Sequence, residues 1–483
     1  MKLDSFLAVL NRCPLVVSVQ ASVGSPLADT GALLGLARAS VGQGVKVLRL
    51  EGTDSISTIK SETGAIVIGL VKRSYPGSGV YISPTFTEVK DLLDTGCEVI
   101  AVDATSRQRP GGCMLEDLVS QIHVAGRLVM ADCDSLETAL HAESLGCDLI
   151  STTLSGYVDE SASSNYPDLD LVAKIGRSCK TPVLAEGRYA TQHQVRSALF
   201  SGACGVVIGG AINDSVKQTK HFLAITSEPR TNVAAVDIGG TWIRFAEFLP
   251  SGRILDKDSI ARHATNKERL EWIAKRCHAR GLRRIGVSSG GVIDPISGET
   301  LSSKPTIPDN DGFRALNETY GLQVRALNDG LATAWGHACH GQFADKTVLT
   351  LCFGTGVGAG VSAHGRLMTD VRGNYPRVND LLLAASHMTI EQILGGEALS
   401  ASNLTGEQLN EAIANATKAV YDLFLPEVIV LAGSVGLRPG AVEASDNLLS
   451  GLCPVVPSPF GENAGLHGAA ALALSPPPGV FSP

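Results

Sequence analysis

The sequence predicts an α/β fold class, with an N-terminal (β/α)8 TIM barrel followed by a second α/β domain. Eight short apolar runs alternate with helix-length amphipathic stretches and begin about 20 to 30 residues apart, which is the pattern of repeated βα units around a parallel sheet. An open doubly wound sheet is the alternative, but eight units in about 210 residues suit a closed barrel better. The runs span residues 15–21, 45–52, 65–72, 98–105, 127–133, 148–156, 182–188 and 205–212.

A chain of 483 residues is longer than one hydrophobic core usually organises, so at least two domains are expected. The polar, proline-containing segment ITSEPRTN (225–232) separates the last helical stretch of the barrel from a new apolar strand. The predicted ranges are 1–226 for the barrel, 227–232 for a linker, 233–475 for the second domain and 476–483 for a loose C-terminal tail.

The charge and the cysteines exclude several classes of partner and site. The net charge is −8 and the basic residues form no stripe, so no nucleic acid partner is expected. No apolar run reaches the roughly 20 residues of a membrane helix, and a charge and a proline interrupt the apolar start of the chain, so we expect no membrane partner and a cytoplasmic protein. The 11 cysteines include no CxxC pair and no Cys/His cluster at zinc spacing, which predicts reduced, structural thiols.

Polar side chains end the runs, at the point where a barrel carries its active site. Lys72 ends the third run and Glu186 lies near the end of the seventh. Singly, each is explained as a solvated rim residue or half of a salt bridge; together they provide the base and the acid that proton abstraction next to a carbonyl requires. Gly209 and Gly210 lie in the eighth run, where barrels commonly bind a substrate phosphate on backbone N–H groups. These residues predict an isomerase, an epimerase or an aldolase that acts on a small phosphorylated molecule.

Five segments of the first half resemble N-acetylmannosamine-6-phosphate 2-epimerases, in order and over essentially residues 5–222. They are VSVQASVGSPL, GLVKRSYPGSGVYISPTFTEV, VDATSRQRP, MADCDSLETALHAESLGCDLISTTLSGY and LAEGRYATQHQVRSALFSGACGVVIGGAI. The resemblance implies that Lys72 exchanges the proton at C2 of the amino sugar, with assistance from Glu186, to give N-acetylglucosamine 6-phosphate without a cofactor. It also implies four residues that line the substrate pocket: Gln20, Arg49, Asp132 and Arg188.

One position departs from this family. After the glycine pair the family usually has Thr-Arg, whose arginine contacts the phosphate, whereas this chain has Asn213 and Asp214. A carboxylate beside a phosphate is unfavourable. The sequence therefore predicts that another cation replaces the arginine or that phosphate affinity is reduced.

The second half carries residues suited to phosphoryl transfer. The segment VDIGGTWIRFAEF predicts a tight glycine turn between two strands, at which the backbone can approach nucleotide phosphates while Asp237 orients a metal ion or its waters. In the segment LNDG, Asn328 can hold a sugar hydroxyl and Asp329 can act as general base on the hydroxyl to be phosphorylated. FGTGVGAG (353–360) and AGS (432–434) provide two further glycine turns. Taken alone, each segment could be an ordinary hairpin or an Asn-Asp turn. Taken together, glycine turns on both sides of one candidate base favour phosphoryl transfer.

With RALNDGLATAWGHA and AGLHGAAALAL, these segments resemble the ROK (repressor, open reading frame, kinase) family of sugar kinases across residues 233–475. The resemblance implies a two-lobed actin-like ATPase fold, ATP and Mg2+ as cofactors and Asp329 as catalytic base. Fusion to an epimerase points to N-acetylmannosamine as the sugar. The implied nucleotide side comprises Asp237, Gly239, Gly240, Thr241, Gly354, Thr355, Gly356 and Gly433.

The middle of the second half departs from the ROK pattern. The family's Gly-Glu-x-Gly-His segment, whose Glu and His bind sugar hydroxyls, has no counterpart that can be assigned, His387 included. Glu391 matches the final Glu of the family's Cys-rich zinc motif and is a candidate for binding the sugar. No cysteine lies between Cys352 and Cys453, so the structural zinc is predicted to be absent. The sugar loop near SSKPTIPDND (302–311) is also unlike that of the family.

The residues leave three hypotheses open. The first is a bifunctional enzyme of sialic acid breakdown, which phosphorylates N-acetylmannosamine and then epimerises the product. The second keeps the epimerase but makes the kinase half a non-catalytic module for binding or assembly. The third is the same pair of enzymes with altered amino-sugar specificity. Amino sugars and sugar phosphates are the expected partners, in a homo-oligomer; a transcription regulator is disfavoured because the barrel replaces the DNA-binding helix-turn-helix.

Overall fold

The computed structural model describes residues 1–22, 24–158, 166–226, 230–261, 265–303, 311–383, 387–402, 404 and 406–481. Parts of three predicted segments lie outside these residues: 227–229 of the linker, 304–310 of the sugar loop and 482–483 of the tail. The chain divides into two compact units, Met1–Ser227 and Glu228–Pro483, and each is described by itself. No helix of the described part of the chain is long and apolar enough to cross a membrane.

The first unit is a closed barrel of eight parallel strands, in which each strand pairs with the next along the chain and the last pairs with the first. The predicted barrel is confirmed, and the doubly wound alternative is wrong. Each strand lies within its predicted apolar run. The strands are β1 (Leu15–Val19), β2 (Val47–Glu51), β3 (Ile66–Leu70), β4 (Val99–Asp103), β5 (Leu128–Asp132), β6 (Leu149–Ser151), β7 (Val183–Glu186) and β8 (Gly205–Ile208).

A helix precedes the first strand, and at least one helix follows each strand. Phe6 and Leu10 of the first helix are buried with Val16 and Leu184 in the barrel interior, so this helix closes one end of the barrel. The helices are α1 (Leu3–Leu10), α2 (Thr30–Gly42), α3 (Thr53–Thr63), α4 (Phe86–Asp94), α5 (Leu115–Val124), α6 (Leu136–Ser144), α7 (Leu169–Ser178), α8 (Gln192–Phe200), α9 (Gly210–Asn213) and α10 (Ser215–Thr226).

The alternation of side chains along the strands places polar groups at one end of the barrel. Successive residues of a strand point to opposite faces, and Val47, Val99 and Leu128 belong to the buried inner cluster. Further along the same strands, at positions of the same parity, come Arg49 and Asp132. Polar side chains from different strands therefore meet at the carboxyl end, which is the mouth of the barrel.

The second unit contains two five-stranded sheets of one design, in which two parallel strands extend an antiparallel three-stranded meander. This repeated design is the two-lobed actin-like ATPase fold, as predicted. The first sheet has the order β11-β10-β9-β12-β15, with β9 (Val233–Ile238), β10 (Trp242–Phe248), β11 (Ile254–Ala261), β12 (Arg284–Ser289) and β15 (Gln323–Asn328). The second has the order β18-β17-β16-β21-β22, with β16 (Thr347–Phe353), β17 (Val357–Ala363), β18 (Arg366–Leu367), β21 (Val428–Ala432) and β22 (Val455–Pro457).

Two small hairpins and nine helices complete the described part of this unit. The hairpins are β13 (Val292–Ile293) with β14 (Thr300–Ser302), and β19 (Leu382–Leu383) with β20 (Met388–Thr389). The helices are α11 (Asn266–Ala279), α12 (Arg314–Glu318), α13 (Asp329–Ala338), α14 (Ile390–Leu394), α15 (Gly396–Ala401), α16 (Gly406–Phe424), α17 (Gly433–Gly436), α18 (Ala441–Leu448) and α19 (Ala464–Leu474).

Close packing of α13 explains part of the predicted second glycine loop. A Cβ on Gly330 would lie 2.4 Å from the carbonyl oxygen of Ala359, and one on Gly360 would lie 2.5 Å from that of Gly330. Strand β17 begins at Val357, so only residues 354–356 form a loop. The later glycines of the segment instead let the helix approach the strand.

Candidate active sites

A buried arginine organises the mouth of the barrel. Arg49 of β2 is 1% exposed, and its guanidinium forms salt bridges with Asp132 of β5 and Glu186 of β7. The distance from its Nη2 to Asp132 Oδ2 is 2.5 Å. Two carboxyl groups thus share one buried guanidinium.

Two threonines that follow β6 hold these groups in place. Thr153 Oγ1 lies 2.6 Å from Asp132 Oδ1, 3.1 Å from Arg49 Nη1 and 3.2 Å from Glu186 Oε2. Thr152 Oγ1 accepts a hydrogen bond from the backbone N–H of Glu186 at 3.0 Å and donates one to its carbonyl oxygen at 2.9 Å. The side chain and the backbone of Glu186 are thus both fixed.

Lys72 follows β3 and lies in the open mouth. Its Nζ donates a hydrogen bond to Gln20 Oε1 at 2.7 Å, and Gln20 Nε2 donates to Ser18 Oγ at 2.9 Å. The pKa of Lys72 is lowered, first by partial desolvation among the groups of the mouth and then by the positive charge of Arg49, whereas the Glu51 carboxylate acts in the opposite direction. A lysine with a lowered pKa loses its proton nearer neutral pH and can act as a base.

Burial makes the charge on Asp132 costly. The side chain is fully buried, and burial raises its pKa to about 7; the charge of Arg49 opposes this rise and that of Glu186 adds to it. Because this pKa exceeds the value of about 3.9 of an unfolded chain, ionisation of Asp132 destabilises the barrel progressively from about pH 4 to about pH 7.

We expect Asp132→Asn to stabilise the barrel at pH 8, by at most about 4 kcal/mol of unfolding free energy, since each unit of pKa shift corresponds to about 1.4 kcal/mol and Glu186 still pairs with Arg49. The same change should impair the activity of the barrel. The stabilisation should shrink as the pH falls towards 4, because wild-type Asp132 then also binds a proton. The three tryptophans, Trp242, Trp272 and Trp335, all lie in the second unit, so tryptophan fluorescence follows the unfolding of that unit. A calorimetric transition without a fluorescence change therefore belongs to the barrel. A difference in unfolding free energy that does not change with pH would contradict the raised pKa of Asp132. The control is Asp117→Asn, which removes an exposed carboxylate of α5.

Arg188 lies at the rim in a left-handed backbone conformation. Its φ is +61°, after Gly187 with a φ of +112°. The guanidinium donates to the carbonyl oxygens of Ser155 and Tyr166, at 2.8 and 2.7 Å, and lies 5.1 Å from the centroid of the Tyr157 ring. These contacts orient its charge without neutralising it.

The glycine pair leads from β8 into the short helix α9. A Cβ on Gly209 would lie 3.2 Å from Ser18 Cβ, so the turn packs closely against β1. Asn213 Nδ2 donates to the carbonyl oxygen of Ser18 at 2.9 Å. Asp214 accepts from Ser22 Oγ and from the backbone N–H of Lys217, each at 2.8 Å. The residue pair that departs from the epimerase family therefore ties β1 and its loop to the segment that follows β8.

In the second unit, Asp237 lies at the carboxyl end of β9. Ser288 Oγ donates to its Oδ1 at 3.0 Å, and Arg244 Nε lies 3.8 Å from its Oδ2. Burial raises the pKa of Asp237, while Arg244 and Ser288 lower it. A Cβ on Gly465 of α19 would lie 2.6 Å from this carboxylate, so the carboxylate needs a glycine beneath it.

The residues after Asp237 form the predicted glycine turn. The N–H of Gly239 donates to the carbonyl oxygen of Trp242 at 2.9 Å, which closes the turn between β9 and β10. Gly240 is partly exposed and Thr241 is exposed. The tip of the turn therefore remains accessible.

The neighbouring strand β15 ends in Asn328, and α13 begins at Asp329. The Asn328 side chain is fully buried; its Oδ1 caps α13 by accepting from the N–H groups of Gly330 and Leu331, and its Nδ2 donates to the carbonyl oxygen of Gly291. Within the described residues, only one of the two N–H groups of the Asn328 amide forms a hydrogen bond. Asp329 is partly exposed, so it is the more accessible of the two residues.

The second lobe brings two glycine turns and a carboxylate together. A Cβ on Gly354 would lie 3.9 Å from Ser434 Oγ, and one on Gly433, whose φ is +82°, would lie 2.3 Å from the carbonyl oxygen of Phe353. Glu391 Oε2 accepts from the N–H of Val357 at 2.9 Å.

Glu391 and Asp329 both lie beside this strand start. A Cβ on Gly356 would be 3.1 Å from Glu391 Oε1, and one on Gly358 would be 3.7 Å from Asp329 Oδ1. The structure thus brings the proposed base and the remaining candidate for sugar binding to successive glycines. Thr355 lies in the same turn, and its carbonyl oxygen accepts from the N–H of Gly396 at 3.0 Å.

Comparison with known proteins agrees with this division of sites. Residues 33–228 match the model of the family "Putative N-acetylmannosamine-6-phosphate epimerase" (NanE), and residues 233–379 match that of the ROK family. The bifunctional enzyme NanE/NanK of Brucella melitensis is 30% identical over 512 residues, which cover 96% of this chain and 96% of the relative.

The chain belongs to the bifunctional NanE/NanK family.

Relatives of the NanE half alone are more similar in sequence. A putative N-acetylmannosamine-6-phosphate 2-epimerase of Clostridium perfringens is 44% identical over 211 residues, covering 44% of this chain and 96% of the relative. The solved structure of an N-acetylmannosamine-6-phosphate 2-epimerase from C. perfringens is 42% identical, covers 46% of this chain and 96% of that one, and gives a TM-score of 0.44.

Two sequence predictions for the ROK half concern residues that the structure leaves apart or does not describe. His387 is exposed on the β19–β20 hairpin, with a φ of +54°. Most of the sugar loop, 304–310, lies outside the described residues. Among the described residues, no three His, Cys, Asp or Glu side chains form a group that could hold a metal ion.

Sequence analysis missed several residues that hold the sites together. In the NanE half these are Ser18 and Thr152, and in the ROK half Arg244 and Gly465; Thr153 was predicted only as a polar residue that ends the sixth run. The period of two along β1 could have found Ser18, which shares a face with Gln20. Pairing across the glycine turn could have found Arg244, which lies opposite Asp237.

Proposed function

We propose that the chain phosphorylates N-acetylmannosamine with ATP and epimerises the resulting N-acetylmannosamine 6-phosphate at C2 to N-acetylglucosamine 6-phosphate, as in sialic acid breakdown. The observation that carries this proposal is the match over 96% of the chain to a bifunctional NanE/NanK enzyme. Two separate constellations support it, one in each unit. The proposed enzyme ranges are 1–226 for the epimerase and 233–475 for the kinase.

In the epimerase, Lys72 removes the proton at C2, next to the sugar's carbonyl, and a proton returns from the opposite face. The lowered pKa of Lys72 favours the neutral amine that this step needs. Arg49 stabilises the enolate charge that develops, and Glu186 exchanges a proton with the sugar oxygen. Gln20, Asp132 and Arg188 orient these groups and the substrate, and the backbone at Gly209 and Gly210 receives the phosphate.

In the kinase, Asp329 accepts the proton of the 6-hydroxyl as the phosphoryl group transfers. Asn328 and Glu391 bind hydroxyls of the sugar. ATP lies against the glycine turns of the two lobes, at Gly239, Gly240 and Thr241 and at Gly354, Thr355, Gly356 and Gly433. Asp237 orients Mg2+ or its waters, which suits a carboxylate held by one hydroxyl and a distant arginine.

A single assay on the full chain tests both activities. Purified protein is supplied with N-acetylmannosamine, ATP and Mg2+; ADP is measured by a coupled assay and the sugars by NMR. We expect stoichiometric ADP and N-acetylglucosamine 6-phosphate. The absence of both products would refute the proposal.

The second candidate function is an epimerase with a non-catalytic ROK module, and the missing Gly-Glu-x-Gly-His segment favours it. In that case added N-acetylmannosamine 6-phosphate is epimerised, but N-acetylmannosamine releases no ADP. Repeating the assay with N-acetylglucosamine and glucose separates altered sugar specificity from loss of kinase activity.

A further inference from the structure

Lys217 lies against the glycine pair at the mouth of the barrel. It is the third residue of α10, and its Nζ is 3.6 Å, and its Cδ 3.3 Å, from the position that a Cβ on Gly210 would occupy. The side chain is exposed, and within the described residues its Nζ forms no salt bridge. An accessible cation therefore stands beside the turn that leaves β8.

Asp214 fixes the backbone from which Lys217 projects. It precedes α10 and caps it through the N–H of Lys217, and this hydrogen bond is the main cause that lowers the pKa of Asp214. Its other oxygen accepts from Ser22 Oγ. The ionised Asp214 is therefore engaged with the protein, and the nearby charge of Lys217 offsets the repulsion it would exert on an anion.

A short series of contacts connects this turn to the proposed base. Lys72 contacts Gln20, Gln20 contacts Ser18, and Gly209 packs on Ser18. A sugar phosphate whose C2 lies at Lys72 can therefore extend along this edge of the mouth towards the glycine pair. Its phosphate then reaches backbone N–H groups that carry no full positive charge.

We propose that Lys217 supplies that charge and binds the phosphate of the epimerase substrate, in place of the arginine that the epimerase family usually has where this chain has Asp214. This inference rests on the proposed epimerase function. Lys217 acts in binding and takes no part in proton transfer at C2. In this chain the cation thus lies on α10, and Asp214 positions it through the hydrogen bond with the backbone N–H of Lys217.

The test compares full-length wild type, Lys217→Ala, Lys217→Arg and Lys220→Ala, the last removing another exposed lysine of α10. For N-acetylmannosamine 6-phosphate, we expect Lys217→Ala to raise KM about 10- to 100-fold with kcat nearly unchanged, since a charge-assisted hydrogen bond is lost. The inhibition constant of inorganic phosphate should rise similarly. Lys217→Arg should recover most of the affinity, and Lys220→Ala should match wild type.

The outcomes separate this inference from the function on which it rests. A wild-type protein without epimerase activity would overturn the proposed function itself. An active wild type together with an unchanged KM in Lys217→Ala, or with a loss confined to kcat, would overturn the role of Lys217 alone. An unchanged calorimetric unfolding transition of the barrel in each variant verifies that the first unit is folded.

Discussion

Lys72→Ala should abolish exchange of the C2 proton of N-acetylmannosamine 6-phosphate with solvent deuterium. We expect a loss of at least about 10³-fold, because general base catalysis contributes 10²- to 10⁴-fold and the Lys72 amine is placed beside the Arg49 cluster for this step. The measurement is NMR of the C2–H signal in D2O. The side chain lies in the open mouth and, within the part of the chain that the structure describes, forms a hydrogen bond only with the Gln20 side chain, so the variant should fold.

The same protein contains its own control. ADP release from N-acetylmannosamine depends on the second unit and should be unchanged in Lys72→Ala, which controls for the amount of intact chain. An unchanged calorimetric transition of the barrel controls for the fold of the first unit. Glu186→Gln tests the assisting role: it should slow exchange while the Arg49 contact persists as a neutral hydrogen bond. Undiminished exchange in a folded Lys72→Ala protein would remove Lys72 from the mechanism.

The barrel and the residues of its mouth were predictable because one physical rule governs both. Parallel strands enclosed by helices read as apolar runs, and side chains point inward at every second position. The runs therefore gave the strands, and their polar ends gave Lys72, Arg49, Asp132 and Glu186. What the rule could not give is pairing across the mouth, such as the contact of Arg49 with both carboxylates, because partners lie on strands far apart in sequence.

Local motifs predicted the kinase half well and its tertiary contacts poorly. The glycine turn after Asp237 forms as expected, since its hydrogen bonds lie within one hairpin. The glycines after residue 356 do not belong to a loop. Gly360 lets α13 pack against β17, and no local sequence pattern distinguishes such a glycine from one of a phosphate loop. Asp214 likewise looked discordant in the sequence, and its partner Ser22, 192 residues away, was invisible there.

Asp329→Asn should abolish kinase activity and leave epimerase activity intact. Replacing the carboxylate removes the proton acceptor for the sugar hydroxyl but keeps the shape of the side chain and its contact with the start of α13. We expect ADP release from N-acetylmannosamine to fall at least about 100-fold, with the KM for ATP nearly unchanged because the glycine turns are untouched. The measurement is the coupled ADP assay, with Asp345→Asn, an exposed carboxylate, as the matched control.

This variant also decides whether the sugar site, which lacks the family's Gly-Glu-x-Gly-His segment, is catalytically active. In wild type, Glu391 lies beside Gly356 and Asp329 lies beside Gly358. Glu391 can therefore bind an acceptor hydroxyl and Asp329 can deprotonate it, even without the family's Glu-His pair. If that geometry suffices, wild type releases ADP, Asp329→Asn does not, and Glu391→Gln mainly raises the KM for the sugar. If wild type and Asp329→Asn are equally inactive while both bind ATP, the ROK half is a binding module, and the epimerase must receive its phosphorylated substrate from another kinase.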